Sequence, residues 1–401
     1  MNIQPRAFKV HALCAVIALL AWSPKGHPAF GLLVAIPWSL CRSRGQIWLS
    51  AFAYYLTAAW QIPPMAGAFF SVASAWSWMA GFGAGIPLWL AWCGLLALGQ
   101  AATFCDSPTW RPAGILAGLA LTAVPPLGWL NIMSPLNAIG YWFPGAQWFG
   151  LVLGAIAVYV MATRWRLQGL LPIAAVAVVC NAATIGVQTN ILPTGIEWLP
   201  VDTRFGPEPR TLAAEHGRAQ AISDTVLKER QALDRTGQAS QVRVLVFPEM
   251  AISAWRPRSQ YWLDDAIQAT SNGQLSWISG AMKVDDAGDP VNGVLVVDHG
   301  HVHWLDGQVS FPGAMWRPGG YRSPRGAPPV VELAGQRAVI SICYEDLVPW
   351  AQWRAFLQKP DLHVSLSSLW VVQGIDWNGQ SKSVEGWARL FGVPTLRATN
   401  F

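Results

Sequence analysis

Acidic side chains are almost missing from the first half of this chain. Residues 1–190 contain a single acid, Asp106, beside eight lysines and arginines, whereas residues 191–401 hold twenty-one acids and nineteen bases. The two parts carry +7 and −2. An average soluble domain is about 25% charged, and this whole chain is 12% charged and 53% hydrophobic. So few charges over 190 residues cannot clothe an ordinary wetted surface, and lipid is the solvent that such a stretch suits. The net charge of +5 suggests a nucleic-acid partner only until it is mapped. No basic run is long enough to follow a phosphate backbone, and direct nucleic-acid binding is not expected.

Apolar stretches fall at about 8–22, 28–41, 46–62, 84–104, 112–130, 146–163 and 168–187. They predict a multi-span α-helical membrane bundle of about seven helices over residues 1–190. Arg6, Lys9, Arg42, Arg44, Arg111, Arg164 and Arg166 lie on one side of that topology and only Lys25 on the other. The positive-inside rule then places the N-terminus inside and delivers residues 191–401 to the outer side. The expected location is the bacterial inner membrane, multi-pass, with a periplasmic C-terminal domain and the lipid bilayer as partner. Trp60, Trp89, Trp110, Trp129, Trp148 and Trp165 sit near proposed span ends, where amphipathic rings favour the headgroup layer.

After residue 190 short β-rich runs alternate with turns. Strands are expected at Val242–Phe247, Leu275–Val284, Gly293–Val297, His301–Leu305, Ala338–Cys343 and Leu362–Leu366, and helices near 211–235 and 382–392. Strands interleaved with helices predict a layered α/β domain, and Arg317–Pro329 reads as a surface loop. Five cysteines belong to the apolar part, so Cys343 stands alone in the polar one and cannot form a disulfide within that domain. No Cys/His spacing suits a metal, and His301 and His303 read as surface residues; neither metal nor cofactor is expected.

Two strand ends carry the chemistry. Val246-Phe247-Pro248-Glu249-Met250 places a carboxylate where a strand ends, and Cys343 closes another strand before Tyr344-Glu345-Asp346. A carboxylate beside a thiol can take its proton, and the thiolate can attack an amide or ester carbonyl. Glu249 is the candidate base and Cys343 the candidate nucleophile. A cation normally completes such a site beside backbone N–H groups that hold the oxyanion.

These segments resemble the nitrilase (carbon–nitrogen hydrolase) superfamily. Phe247-Pro248-Glu249 resembles its base motif and Ser341-Ile342-Cys343-Tyr344-Glu345 its nucleophile motif; Gly392-Val393-Pro394 and Arg397-Ala398-Thr399-Asn400 resemble a late segment. The resemblance implies a nitrilase-like αββα sandwich over residues 191–401 and a Glu–Lys–Cys triad. Spans followed by such a domain are similar to the apolipoprotein N-acyltransferases. That likeness, with Ser134-Pro135-Leu136 and Phe143-Pro144-Gly145, implies acyl transfer through a Cys thioester from phospholipid to a lipoprotein.

The triad lysine is not found: Gly307 or Gln308 occupies its place in the stretch Asp306–Trp316. Lys283, at an earlier strand end, does not inherit the role. Tyr344 N–H, Gln308, Arg317 or Arg322 are the groups left to stabilise transition-state charge. Ser367-Ser368-Leu369-Trp370 and the altered lysine loop look more like the membrane-bound relatives encoded among the transfer genes of conjugative plasmids, which implies other conjugation proteins as partners. The usual C-terminal strands and final helix of the family would follow Asn400, and their lack is expected to leave a sheet edge unpaired. Two functions compete on this sequence: an acyltransferase or amidase, and a catalytically inactive binding or assembly component of a transfer apparatus.

Overall fold

The structure is a computed structural model that describes residues 5–70, 75–163, 166–184, 195–236, 241–286, 288–310, 326–372 and 378–401. The chain divides into two compact units. The first comprises Met1–Thr189, Leu347–Gln352 and Gly374–Val393, and the second Asn190–Asp346, Trp353–Gln373 and Pro394–Phe401.

The first unit is helical: α1 (Pro5–Trp22), α2 (Ala35–Leu40), α3 (Arg44–Ala58), α4 (Ile62–Phe70), α5 (Ala75–Thr103), α6 (Arg111–Ala123), α7 (Ile139–Trp142), α8 (Gln147–Met161) and α9 (Arg166–Thr184). Several of its helices are shorter than the apolar runs suggest. Among the described residues one helix, Trp76–Thr103, is long and apolar enough to cross a bilayer. Pro135–Trp142 and Gln147–Met161 qualify only together, bent by 116°. Phe8–Trp22, Pro28–Leu40 and Gln168–Thr184 are apolar but shorter. One or two candidate spans therefore stand where the sequence predicts about seven. The runs are interrupted inside: residues 28–34 wind as a 3-10 helix, and Ser43 caps α3 through its hydroxyl after a break at Cys41. At 1.5 Å per residue, a 15-residue helix reaches only about 22 Å, short of the ~30 Å hydrocarbon core.

The second unit contains β1 (Ile196–Pro200), α10 (Leu212–Thr236), β2 (Val242–Ile252), α11 (Pro257–Trp262), α12 (Asp264–Gln268), β3 (Leu275–Val284), β4 (Pro290–Asp298), β5 (His301–Asp306), β6 (Val330–Leu333) and β7 (Gln336–Ile342). Along the chain then follow α13 (Pro349–Leu357), shared between the units, β8 (Leu362–Ser368), α14 (Gly379–Phe391) of the first unit, and β9 (Thr395–Asn400) of the second. The strands form a five-stranded sheet, β1-β2-β3-β4-β5, and a four-stranded sheet, β6-β7-β8-β9. The pairs β1–β2, β2–β3, β7–β8 and β8–β9 are parallel; β3–β4, β4–β5 and β6–β7 are antiparallel.

The two sheets pack face to face. Val244, Val246, Ile278, Val294 and Val296 of the first meet Ala338, Ile340, Ile342, Val364, Leu366 and Ala398 of the second. The intervening residues Leu245, Phe247, Trp277, Leu295 and Val297 point the other way, against Ile222 and Val226 of α10 and Leu263 and Ile267 beside α11 and α12. Burial on both faces is why Val244–Phe247 is an unbroken apolar run rather than an alternating one. The arrangement is a layered α/β sandwich, two packed sheets with α10, α11 and α12 on the outer face of the five-stranded one.

The outer edge of β9 is not left open. Asp202–Gly206 runs beside it: Thr203 N–H donates to Thr399 O at 2.9 Å, Phe401 N–H to Thr203 O at 2.9 Å, and Thr399 N–H to the Asp202 carboxylate at 2.8 Å. The expected unpaired edge is thus covered by a segment nearly 200 residues away in sequence. The strand begins because Gly392, at φ +68°, takes the left-handed turn that ends α14, and Pro394 follows it.

In sequence α14 lies between strands of the second unit, yet it packs within the first. The Cβ of any residue other than glycine at 140 would lie 1.7 Å from Gly386 O, so α7 and α14 touch backbone to backbone. The contact is pinned by Asn137 Nδ2 donating to Ser383 Oγ at 3.1 Å, Tyr141 OH to Lys382 O at 3.0 Å, and Lys382 Nζ to Ser23 O at 2.6 Å.

Candidate active site

Both candidate residues sit where a strand gives way to irregular backbone in the second unit. The pairing of β2 with β3 shifts register between Phe247 and Ile252, and Met250 adopts φ +57°. Such a bulge re-aims the side chain beside it. Gly280 on β3 makes room: a Cβ there would come within 2.5 Å of Glu249 Cα. From α10 the buried Arg218 donates to Met250 O at 3.2 Å and to Phe205 O at 2.8 Å, and so holds the turn that follows Glu249.

Cys343 follows β7 directly, at φ +46° in a short 3-10 turn, Cys343–Asp346. A non-glycine residue there is uncommon and is a mark of functional sites. Its thiol hydrogen-bonds to the Glu249 carboxylate. Thus residues 94 positions apart in sequence are brought into contact. Asn292 of β4 donates to Glu249 Oε1 at 2.9 Å, and the backbone N–H of Ser368, the last residue of β8, bonds to both Glu249 and Cys343. Burial pushes the Glu249 carboxyl up to about 7 against these hydrogen bonds. Burial, then the Glu249 charge, holds the Cys343 thiol well above the usual thiol range. One proton shared between a poised carboxyl and a resting thiol is the arrangement a general base requires.

Two further carboxylates shape the turn. Glu345 is fully buried and accepts three backbone N–H bonds: from Gln308 at 2.5 Å, Val309 at 3.0 Å and Ile342 at 2.9 Å. It ties the start of the loop after β5 to the strand that carries the nucleophile. Burial raises its carboxyl to about 7, with the three N–H groups pulling the other way. Asp346 accepts from Ser341 Oγ and from Ser365 Oγ, the latter at 2.6 Å. Ser341 Oγ also lies 2.7 Å from His363 Nε2, and the His363 ring stands edge-on to Phe356, 5.5 Å between centroids. Burial lowers His363 to about 4, so it is neutral at pH 7. Ser341, His363, Ser365 and Ser367 are all fully buried.

Among the described residues, the side chains of Gln308 and Lys283 are engaged elsewhere. The Gln308 side chain spans the base of its own loop: its oxygen accepts from Gly326 N–H at 2.7 Å and its amide donates to Asp306 O at 2.8 Å. Lys283 lies 3.6 Å from the Asp306 carboxylate and 4.6 Å from the Trp304 ring centre, on the five-stranded sheet. Residues Phe311–Trp316, Arg317 and Arg322 lie outside the described residues. His301 and His303 are exposed on β5, and the described residues contain no cluster of three or more metal-ligating side chains.

Asn292, Ser368 N–H, Glu345 and Asp346 join the site without a motif that marks them in the sequence. Ser341, His363, Ser365 and Ser367 alternate with apolar residues, which reads as a wetted sheet face. The one available signal was Asn292, an amide inside an otherwise apolar strand.

Fold and site together define a two-sheet α/β domain in which Glu249, at the bulge late in β2, meets Cys343, the residue after β7. No family profile matches the chain. It is, however, similar over its full length to a probable conjugal transfer protein TraB from Sinorhizobium fredii, 29% identical across 100% of this chain and 99% of the relative. A conjugal transfer protein TraB from Agrobacterium fabrum is also 29% identical, over 92% of this chain and 86% of that protein. Among solved structures, an amidase of the nitrilase superfamily from Nesterenkonia is 14% identical, with a TM-score of 0.36 over 53% of this chain and 79% of the amidase. A carbon–nitrogen hydrolase from Helicobacter pylori gives 14% and 0.36 over 46% and 68%.

Proposed function

We propose that this chain is a membrane-bound nitrilase-type acyltransferase or amidase that serves conjugative plasmid transfer. The hydrogen bond between the Cys343 thiol and the Glu249 carboxylate carries the reading. Glu249 takes the thiol proton as the sulfur bonds to a substrate carbonyl carbon, and the C=O electron pair moves onto oxygen. When that pair returns, the bond to the leaving amine or alkoxide breaks and the leaving group receives the proton from Glu249. The acyl group stays on Cys343 as a thioester. An acceptor amine or water then gives its proton to Glu249 and attacks the thioester carbon, and as the oxyanion collapses the C–S bond breaks and the Cys343 sulfur takes the proton back from Glu249. Backbone N–H groups at the Cys343 turn stabilise the oxyanion.

The likeness to conjugal transfer proteins supports the transfer setting. The charge map supports a membrane-associated first half in the bacterial inner membrane, crossing through Trp76–Thr103, with residues 191–401 in the periplasm, where phospholipid or lipoprotein substrates and other conjugation proteins are met. The absence of lysine at positions 307 and 308 favours a second reading, a non-catalytic binding or assembly module. Plasmid transfer measured in cells carrying Cys343→Ala or Glu249→Gln, at verified membrane levels, separates the two. Catalysis requires transfer to fall to the level of the deletion. Wild-type transfer in both variants would overturn the enzyme reading.

A further inference from the structure

The Cys343 turn is crowded with acids. Glu249, Glu345 and Asp346 surround it, each at most 4% exposed, and attack through sulfur passes through a thiolate and then an oxyanion. Buried anions without a counter-charge are costly. Lysine is not at the position the superfamily uses, and Lys283 is engaged elsewhere.

Strand register indicates another source of charge. Ser341 of β7 aligns with Ser365 of β8, which aligns with Arg397 of β9. In parallel strands residues in register point to the same face, so these three form a row on the side of the sheet away from the core. That core takes Ile340, Ile342, Val364, Leu366 and Ala398. The two serines of the row both donate to Asp346, three residues beyond Cys343. The third member is half-buried and interacts electrostatically with Asp346, Asp202 and Cys343. Asp202 is held by Thr399 N–H, two residues beyond Arg397.

We propose that Arg397 is the fixed cation of this site, a positioning residue that stabilises negative charge on the Cys343 sulfur and on the oxyanion formed from it. The proposal rests on Cys343 being the nucleophile. Arginine stays protonated at any physiological pH, so Arg397 acts by charge alone and Glu249 does all the proton transfer. Among the described residues, the ionisable groups interacting with the sulfur are Glu249 from β2, Asp346 from the turn and Arg397 from β9, with Glu345 in the same turn, Asp202 behind Arg397 and His363 reached through Ser341.

The test is alkylation of Cys343 in the full chain, read peptide by peptide at pH 8 with neutral iodoacetamide and anionic iodoacetate. Arg397→Gln should slow iodoacetamide labelling at least ~10-fold, the effect of removing one nearby unit charge at an intermediate dielectric. It should also lower the iodoacetate-to-iodoacetamide rate ratio, which a change in access or packing alone would not move. Arg397→Lys should stay within about threefold of wild type, because the charge is kept. Arg397→Met serves where the glutamine variant loses hydrogen-exchange protection over residues 362–368. Wild-type rates and ratio in a folded uncharged variant overturn the proposal. Both readouts are independent of turnover, so a catalytically dead Cys343 would show separately, as wild-type plasmid transfer in Cys343→Ala.

Discussion

Glu345→Gln perturbs this site with almost no change of shape. The carboxylate accepts from Gln308 and Val309 through Oε1 and from Ile342 through Oε2. A carboxamide offers one oxygen and one NH2, so in either orientation at least one buried N–H faces another donor. If the oxygen keeps the Oε1 pair, the Ile342 amide loses its partner; the reverse orientation strands two amides. A hydrogen bond to a charged group contributes about 1.5–3 kcal/mol, and an orphaned buried donor costs a similar amount. The affected amides should therefore exchange about 10- to 100-fold faster, if opening is local. Hydrogen exchange by mass spectrometry on the intact chain reads peptides covering 307–310 and 340–343, at pH 8, where the wild-type carboxyl, near 7, is ionised. Peptides over β1 serve as the internal control. Wild-type exchange at all three amides would refute the inference that Glu345 ties the loop base to the nucleophile strand.

Other consequences are as specific. Glu249 titrates near 7 rather than at its ordinary 4.5, so the folded state binds its proton more tightly than the unfolded chain does. Its stabilising contribution is present below about pH 4.5 and is lost as pH rises through 7, about 3 kcal/mol in all. The melting temperature of Glu249→Gln relative to wild type should accordingly increase from pH 5 to pH 8; a difference flat with pH contradicts the assignment. Asn292→Ala removes a hydrogen bond that favours the ionised carboxylate, so the midpoint of pH-dependent Cys343 alkylation should move to higher pH. Gly140→Ala forces a methyl group to within 1.7 Å of Gly386 O. It should cost at least about 1–3 kcal/mol as overpacking, seen as faster exchange in α14 while β3 is unchanged.

Much of the second unit was legible as pattern. The six strands expected from their apolar runs correspond to β2, β3, β4, β5, β7 and β8, because a buried strand must be apolar on the face it buries whatever its partners. The helix near 211–235 appears as α10. Strands β1, β6 and β9 were not expected. They are short, with mostly half-buried or exposed residues at β1, β6 and the start of β9, and they pair at the margins, where pattern is weak. The helical half was read by the same rule with a poorer result. Apolar content reports the solvent a segment prefers, but helix length depends on where caps and 3-10 turns interrupt it.

What the sequence alone determined is the division into a nearly acid-free half and a polar α/β half, together with the two strand ends bearing Glu249 and Cys343. Composition and periodicity are local properties, and solvent preference acts on them directly. Only the tertiary structure decided that the two side chains share a hydrogen bond, that Asn292 and Ser368 N–H join them, and that Ser341, Ser365 and Arg397 form one row. It also decided that α14 packs with the first unit and that Asp202–Gly206 covers β9. Those outcomes depend on strand order and register. A shift of one residue in pairing would turn every side chain of β8 to its other face, and no count along the chain records that choice.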